Sequence, residues 1–263
     1  MWELDSASWL AKFRIRFIVP ERPGFGLSDP APRRNILDWA SDVEELAGHL
    51  ALDRFHVAGG SGGGPYALAC ALHSPKRVLS VSLFSSGGPP EVMRISEMHR
   101  GNRILFSLAK YAPFILKGLF PLIAHVIKKP RPKEGTKKAK KLARLKAKRL
   151  SRLPEWDRRA LEGQNGEELR AHLKEAFRQG GDGTYRDLLL ISRPWGLDLD
   201  KLTVPVFMWH GAADTNVPIA SAREFSNLIP GCECHFIPDA GHMLFDDDEV
   251  RSQMMARILT VNA

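Results

Sequence analysis

Arg54-Phe55-His56-Val57-Ala58-Gly59-Gly60-Ser61-Gly62-Gly63-Gly64-Pro65-Tyr66-Ala67-Leu68-Ala69-Cys70-Ala71 reads as a strand, a sharp turn and a helix, with Ser61 at the point of the turn. A serine hydroxyl is a weak nucleophile until something positions it and takes its proton. A tight turn from a buried strand into a helix exposes the Oγ at the edge of a sheet. It also aims the backbone N–H of the next residue, Gly62, at a developing oxyanion. Such a turn is strained, so the residues two before and two after the serine must be small, which Gly59 and Gly63 satisfy. The pentapeptide alone also fits any glycine-rich turn or a phosphate-binding loop. The phosphate reading lacks the lysine of a G-x-x-x-x-G-K-[ST] arrangement.

Partners for Ser61 must therefore come from elsewhere in the chain. Val204-Pro205-Val206-Phe207-Met208-Trp209-His210-Gly211 is an apolar run ending in glycine, a buried strand and its exit, and Asp214 follows it. Open parallel sheets place functional groups just past such strand ends. Taken alone, Asp214 reads rather as a cap for the helix expected near Pro218. His235-Phe236-Ile237-Pro238 reads as a further strand, and His242 sits in the glycine-flanked loop after it. His56 and His210 fall inside strand patterns and read as structural. The order Ser61, Asp214, His242 is the order Ser…Asp/Glu…His of a triad built on an α/β sheet. In that arrangement His242 takes the serine proton while Asp214 holds the imidazole tautomer and stabilises its charged form.

The chain resembles the α/β-hydrolase superfamily, in its lid-bearing serine hydrolase branch. The resemblance rests on the triad motifs and on Pro20-Glu21-Arg22-Pro23-Gly24-Phe25-Gly26-Leu27-Ser28-Asp29, similar to the family's D-R-P-G-x-G-x-S-D loop with Glu21 in place of the usual Asp. It runs from about Arg14 to the C-terminus and is loose in the middle. The resemblance implies an α/β fold, a mostly parallel sheet flanked by helices, with a helical lid inserted after the third strand present here. The strands ahead of the lid are expected at 14–19, 54–58 and 78–84. The core is then 1–88 and 196–263, N-terminally incomplete, and the lid is 89–195 with a basic segment at 128–152.

The resemblance also implies strands that precede this sequence, the last ending in a His-Gly loop that donates the first oxyanion N–H. Met1-Trp2-Glu3-Leu4-Asp5-Ser6-Ala7-Ser8-Trp9-Leu10-Ala11 instead reads as a short amphipathic helix of the kind that follows such a loop. Two expectations follow: a form of weakened activity, or a longer native protein. A sheet missing a central strand must close up or leave backbone groups unpaired, at roughly 1–3 kcal/mol each. Loss of one oxyanion donor costs about 10²–10³ in kcat, with the Gly62 N–H remaining.

With 263 residues, 44% hydrophobic and 26% charged, the chain has ordinary globular composition. Three cysteines do not make a disulfide framework, and Cys232-x-Cys234 lacks further metal ligands. No cofactor and no metal is implied. The mixed, acidic opening is not a cleavable signal, so a cytoplasmic location is expected.

The charge is unevenly spread. Lys128 to Arg152 holds thirteen Lys/Arg and one acid, Glu134, within a chain of net +8. The run Lys137-Lys138-Ala139-Lys140-Lys141-Leu142-Ala143-Arg144-Leu145-Lys146-Ala147-Lys148-Arg149 reads as a solvated helix whose leucines touch the lid. The apolar stretch from Ile104 to Ile127 is interrupted by Lys110, Pro113, Lys117 and Pro121, too broken to span a membrane. Lid helices with one greasy face explain it, and so does an interfacial element beside the basic run. Nucleic-acid binding is disfavoured because the run has no interleaved aromatics and belongs to no recognisable module.

The functional expectation is a serine hydrolase that cleaves an ester or related carbonyl through Ser61, Asp214 and His242, with a small acyl substrate. Two alternatives stay open. One is a non-catalytic binding protein of the same fold. The other is a lipid acyltransferase, on the H-x-x-x-x-D spacing of His242 and Asp247.

Overall fold

A computed structural model describes residues 11–163 and 166–261 of the chain. The helix expected at Met1–Ala11 lies outside the described residues except for Ala11, which is helical.

Four strands, β1 (Phe55–Gly60), β2 (Val78–Phe84), β3 (Val206–Gly211) and β4 (Glu233–Ile237), form one sheet in the order β1-β2-β3-β4. Every pairing is parallel. The two central strands are buried almost throughout, while β1 and β4 are mostly half-buried, as edges are. That explains why Val78-Leu79-Ser80-Val81-Ser82-Leu83-Phe84 and Val206–Gly211 carry few polar side chains: helices cover both faces of a parallel sheet.

Alternation along β3 divides the core in two. Val206 and Met208 join Val81, Leu83, Leu68 and Phe225 on one face, covered by α1 (Asp38–His49), α2 (Gly64–His73) and α9 (Ile219–Asn227). Phe207 and Trp209 point the other way, onto Val250, Met254 and Ile258 of α10 (Asp248–Ile258). Each such side chain contributes roughly 1.5–3 kcal/mol on burial. The first turn of α10 is capped by Asp247, whose carboxylate accepts the Val250 N–H at 2.9 Å.

Between β2 and β3 the described residues form six α-helices: α3 (Arg100–Tyr111), α4 (Pro113–Lys128), α5 (Lys137–Leu150), α6 (Glu155–Gly163), α7 (Gly166–Ala176) and α8 (Asp182–Ile191). Ala109, Leu116, Phe120, Ala124, Phe177 and Leu188 form a separate small core for this insert.

Two expectations are corrected. Residues 14–19 are not a strand, so the insert follows the second strand of the sheet rather than the third. The apolar alternation is real but serves packing against a sheet face. Phe13 and Ile15 pack on the cluster around Trp209, and Phe17 stacks on Phe245 with centroids 6.2 Å apart. β1 therefore forms an open edge of the described sheet, with β2 as its paired neighbour. The leucines of α5 also do not dock: the helix buries no residue, and Leu142 and Leu145 are 51% and 56% exposed.

Candidate active site

All four strands point the same way, so their C-terminal ends share one rim. Ser61 follows β1 directly, Ser85 and Ser86 follow β2, and the loops after β3 and β4 carry Asp214 and His242.

Ser61 sits at φ +49°, in the left-handed region that a side chain rarely occupies. Such strain costs on the order of 1–3 kcal/mol and persists only where surroundings over-determine it. Here they do: a Cβ on Gly59 would stand 2.5 Å from the Gly63 carbonyl oxygen, and one on Gly64 would stand 1.9 Å from Ser86 Oγ. A Cβ on Gly63 would meet nothing within 4 Å. Smallness is thus demanded at 59 and 64, and the steric argument for Gly63 does not hold. Gly62 lies in the short helical turn Ser61–Gly63, beside the Ile191 side chain of α8.

The Asp214 side chain is fully buried, and its acceptors are well used. Oδ1 accepts the N–H groups of Asn216 at 2.7 Å and Val217 at 2.9 Å. Oδ2 accepts from His242 Nδ1 at 2.7 Å. Asp214 closes the turn ahead of α9 and orients His242 at once, so the turn and the histidine are held by different oxygens. The Nδ1 bond fixes the tautomer and leaves the Nε2 lone pair of neutral His242 available as a base.

Ser61 and His242 are tied to a common dipeptide. Ser85 Oγ donates to the His242 carbonyl at 2.7 Å, and Ser86 Oγ donates to the Ser61 carbonyl at 3.0 Å. Ser85, like Ser61, has positive φ, +48°. Among the hydrogen bonds of the described residues, none joins Ser61 Oγ to the His242 ring. Catalytic contacts of this kind often tighten only with substrate bound.

The sequence of the family that this rim suggests matches residues 3–249, described as the alpha/beta hydrolase fold. The chain belongs to the alpha/beta hydrolase fold family. An uncharacterized hydrolase of Bacillus subtilis, YcgS, is 24% identical over 229 residues, covering 87% of this chain and 75% of that protein. A thermophilic esterase from Thermogutta terrifontis superposes with TM-score 0.57 at 22% identity, over 92% of this chain and 78% of its own. A bromoperoxidase from Bacillus anthracis gives 0.60 at 15% identity, over 91% and 80%. These structural likenesses carry the fold.

Several residues of this alpha/beta hydrolase site escaped the sequence reading. Asp157, at the start of α6, is 3% exposed and accepts the Met243 N–H at 2.9 Å. Its neighbour Trp156 donates from Nε1 to the Met243 carbonyl at 3.3 Å. The helix start therefore grips the loop bearing His242. Burial pushes the Asp157 carboxyl above the ordinary carboxylate range; the Met243 N–H opposes this and the nearby Asp214 charge adds to it. A Cβ on Gly241 would fall 2.2 Å from Asp157 Oδ1, which explains the glycine before His242. A Leu-Pro-Glu-Trp-Asp helix start gives no hint of this partnership.

Asp187 on α8 is the second omission. It accepts from Arg22 Nε at 2.8 Å and Tyr66 Oη at 3.0 Å, and pairs with the buried Arg34 guanidinium. One carboxylate thereby joins the Arg22 loop, the elbow helix α2 and the insert. His99 faces Asn216 near Asp214 and His242, and burial draws its pKa down. His56 and His210 are structural. His56 Nδ1 meets Ser80 Oγ at 2.8 Å, and the buried His210 ring donates from Nε2 to the Val217 carbonyl at 2.9 Å.

A cleft of about 370 Å³ is bordered by Pro90, Ala109, Lys110, Arg193 and Pro194, on the insert side rather than at His242. Cys232 and Cys234 are free thiols 3.8 Å apart, and no cluster of three or more His, Cys, Asp or Glu suited to a metal occurs among the described residues.

Proposed function

We propose that the protein is a serine hydrolase acting on an ester or related carbonyl. The observation that carries this is the 2.7 Å bond from His242 Nδ1 to a fully buried Asp214, on the same rim as a serine held at φ +49°. Ser61 Oγ attacks the carbonyl carbon while His242 Nε2 takes its proton. The Gly62 N–H stabilises the oxyanion. The tetrahedral intermediate expels the alcohol, which receives that proton from His242, and an acyl-Ser61 remains. Water then adds to the acyl carbon with its proton passing to His242. Collapse returns the proton to Ser61 Oγ and releases the carboxylic acid.

A fluorophosphonate probe tests this. Labelling of the folded protein is expected, and it is expected to vanish in Ser61→Ala. A non-catalytic binding protein is the second reading, favoured by the missing Ser61 Oγ–His242 hydrogen bond. Folded wild type that takes no label would overturn the hydrolase reading and favour this one. The acyltransferase reading is weaker, since Asp247 is already engaged as the α10 cap.

A further inference from the structure

The insert carries a surface that the proposed chemistry does not use. α4 buries Leu116, Phe120 and Ala124, spaced four apart on one face. On the opposite face Phe114, Leu122 and Val126 are 73%, 65% and 65% exposed, with Ile115 alongside at 45%. At 100° per residue these side chains fall within one stripe, half a turn from the buried row. A monomer does not normally leave a contiguous apolar stripe in water without a partner.

Charge selects the partner. From Met98 to Pro154 the chain has seventeen Lys/Arg and one acid, Glu134. Lys117 and Lys128 flank the α4 stripe, and the 129–136 segment leads into α5, where Thr136 Oγ1 accepts the Ala139 N–H at 3.2 Å as N-cap. α5 buries none of its fourteen residues, so its basic side chains, Leu142 and Leu145 face solvent. Exposed apolar side chains beside an exposed basic helix match an anionic lipid surface: the apolar groups enter the headgroup boundary while long Lys and Arg side chains reach the phosphates. No described helix is long and apolar enough to cross a bilayer, so the association is a surface one. We propose that α4 and α5 dock the protein peripherally on an anionic membrane, with Phe114, Leu122 and Val126 inserted and the α5 cations paired with lipid headgroups.

This inference stands apart from the catalytic reading, because it is tested by binding alone. Wild type is expected to sediment with phosphatidylglycerol-containing vesicles at low salt, and not with pure phosphatidylcholine vesicles. Each basic side chain near an anionic surface strengthens binding roughly fivefold. Reversal of Lys137, Lys138, Lys140 and Lys141 to Glu should therefore weaken it by well over ~10-fold. Phe114→Ser with Leu122→Ser, which leaves the charge untouched, should also weaken it several-fold, with the thermal midpoint preserved in both variants. Absence of wild-type sedimentation with anionic vesicles overturns the proposal. So does undiminished binding by the Phe114/Leu122 variant, or tighter uptake of duplex DNA than of vesicles, since either would mean that charge alone is being read.

Discussion

The rim of the sheet and the α4–α5 arm of the insert use the same chemistry in opposite ways. At the rim, polar groups are removed from water and given named partners. Asp214, Asp157 and Asp187 are each at most 8% exposed, and each holds two or more elements or loops together. On the arm, cations and apolar side chains are left in solvent, and α5 packs nothing away. The rim thus pays desolvation to gain fixed geometry, whereas α5 leaves most of its side chains in solvent. A substitution should accordingly be costly at the rim and silent for stability at the exposed positions of the arm.

The sharpest test of that contrast is Asp187→Ala. It leaves the Arg34 guanidinium buried without its carboxylate, which is expected to cost about 3–5 kcal/mol in denaturant unfolding. A loss below ~1 kcal/mol would show that water reaches this network and that the rim is less closed than its burial suggests. Asp157→Ala should cost less, about 1–3 kcal/mol, for the unpartnered Met243 N–H. It should also lower turnover of any ester substrate found, since a misplaced His242 loop costs up to ~10²-fold. Asp157→Asn keeps an acceptor for Met243 and should restore most of both; failure to restore would mean that the charge, not the grip, is what counts. Smallest of all, Leu142→Ala and Leu145→Ala should each change stability by no more than about 0.5 kcal/mol. A larger loss would place α5 in the folded core and break the comparison.

Much of the rim was legible because parallel strands leave local marks. An apolar run followed by glycine and a polar residue announces a strand end, and three such ends named Ser61, Asp214 and His242. The strand misread at 14–19 shows the limit of that signal. Alternation reports two unlike faces, and a segment lying across Trp209 and Phe245 has them just as a paired strand does. Gly63 shows the same limit at the elbow, where a pattern identifies small residues without saying which of them is crowded. Asp157 and Asp187 were silent because their partners lie 86 and up to 165 positions away in the chain.

By itself the sequence determined the order of chemistry-bearing loops, the strand–elbow–helix around Ser61 and the segregation of positive charge into the insert, all properties of neighbours along the chain. Tertiary structure alone decided that Asp214 serves a turn and a histidine with different oxygens, that a carboxylate from the insert holds the His242 loop, and that Leu142 and Leu145 stay in water. Those outcomes depend on which distant groups compete for the same buried space and the same lone pairs, and such competition has no local signature.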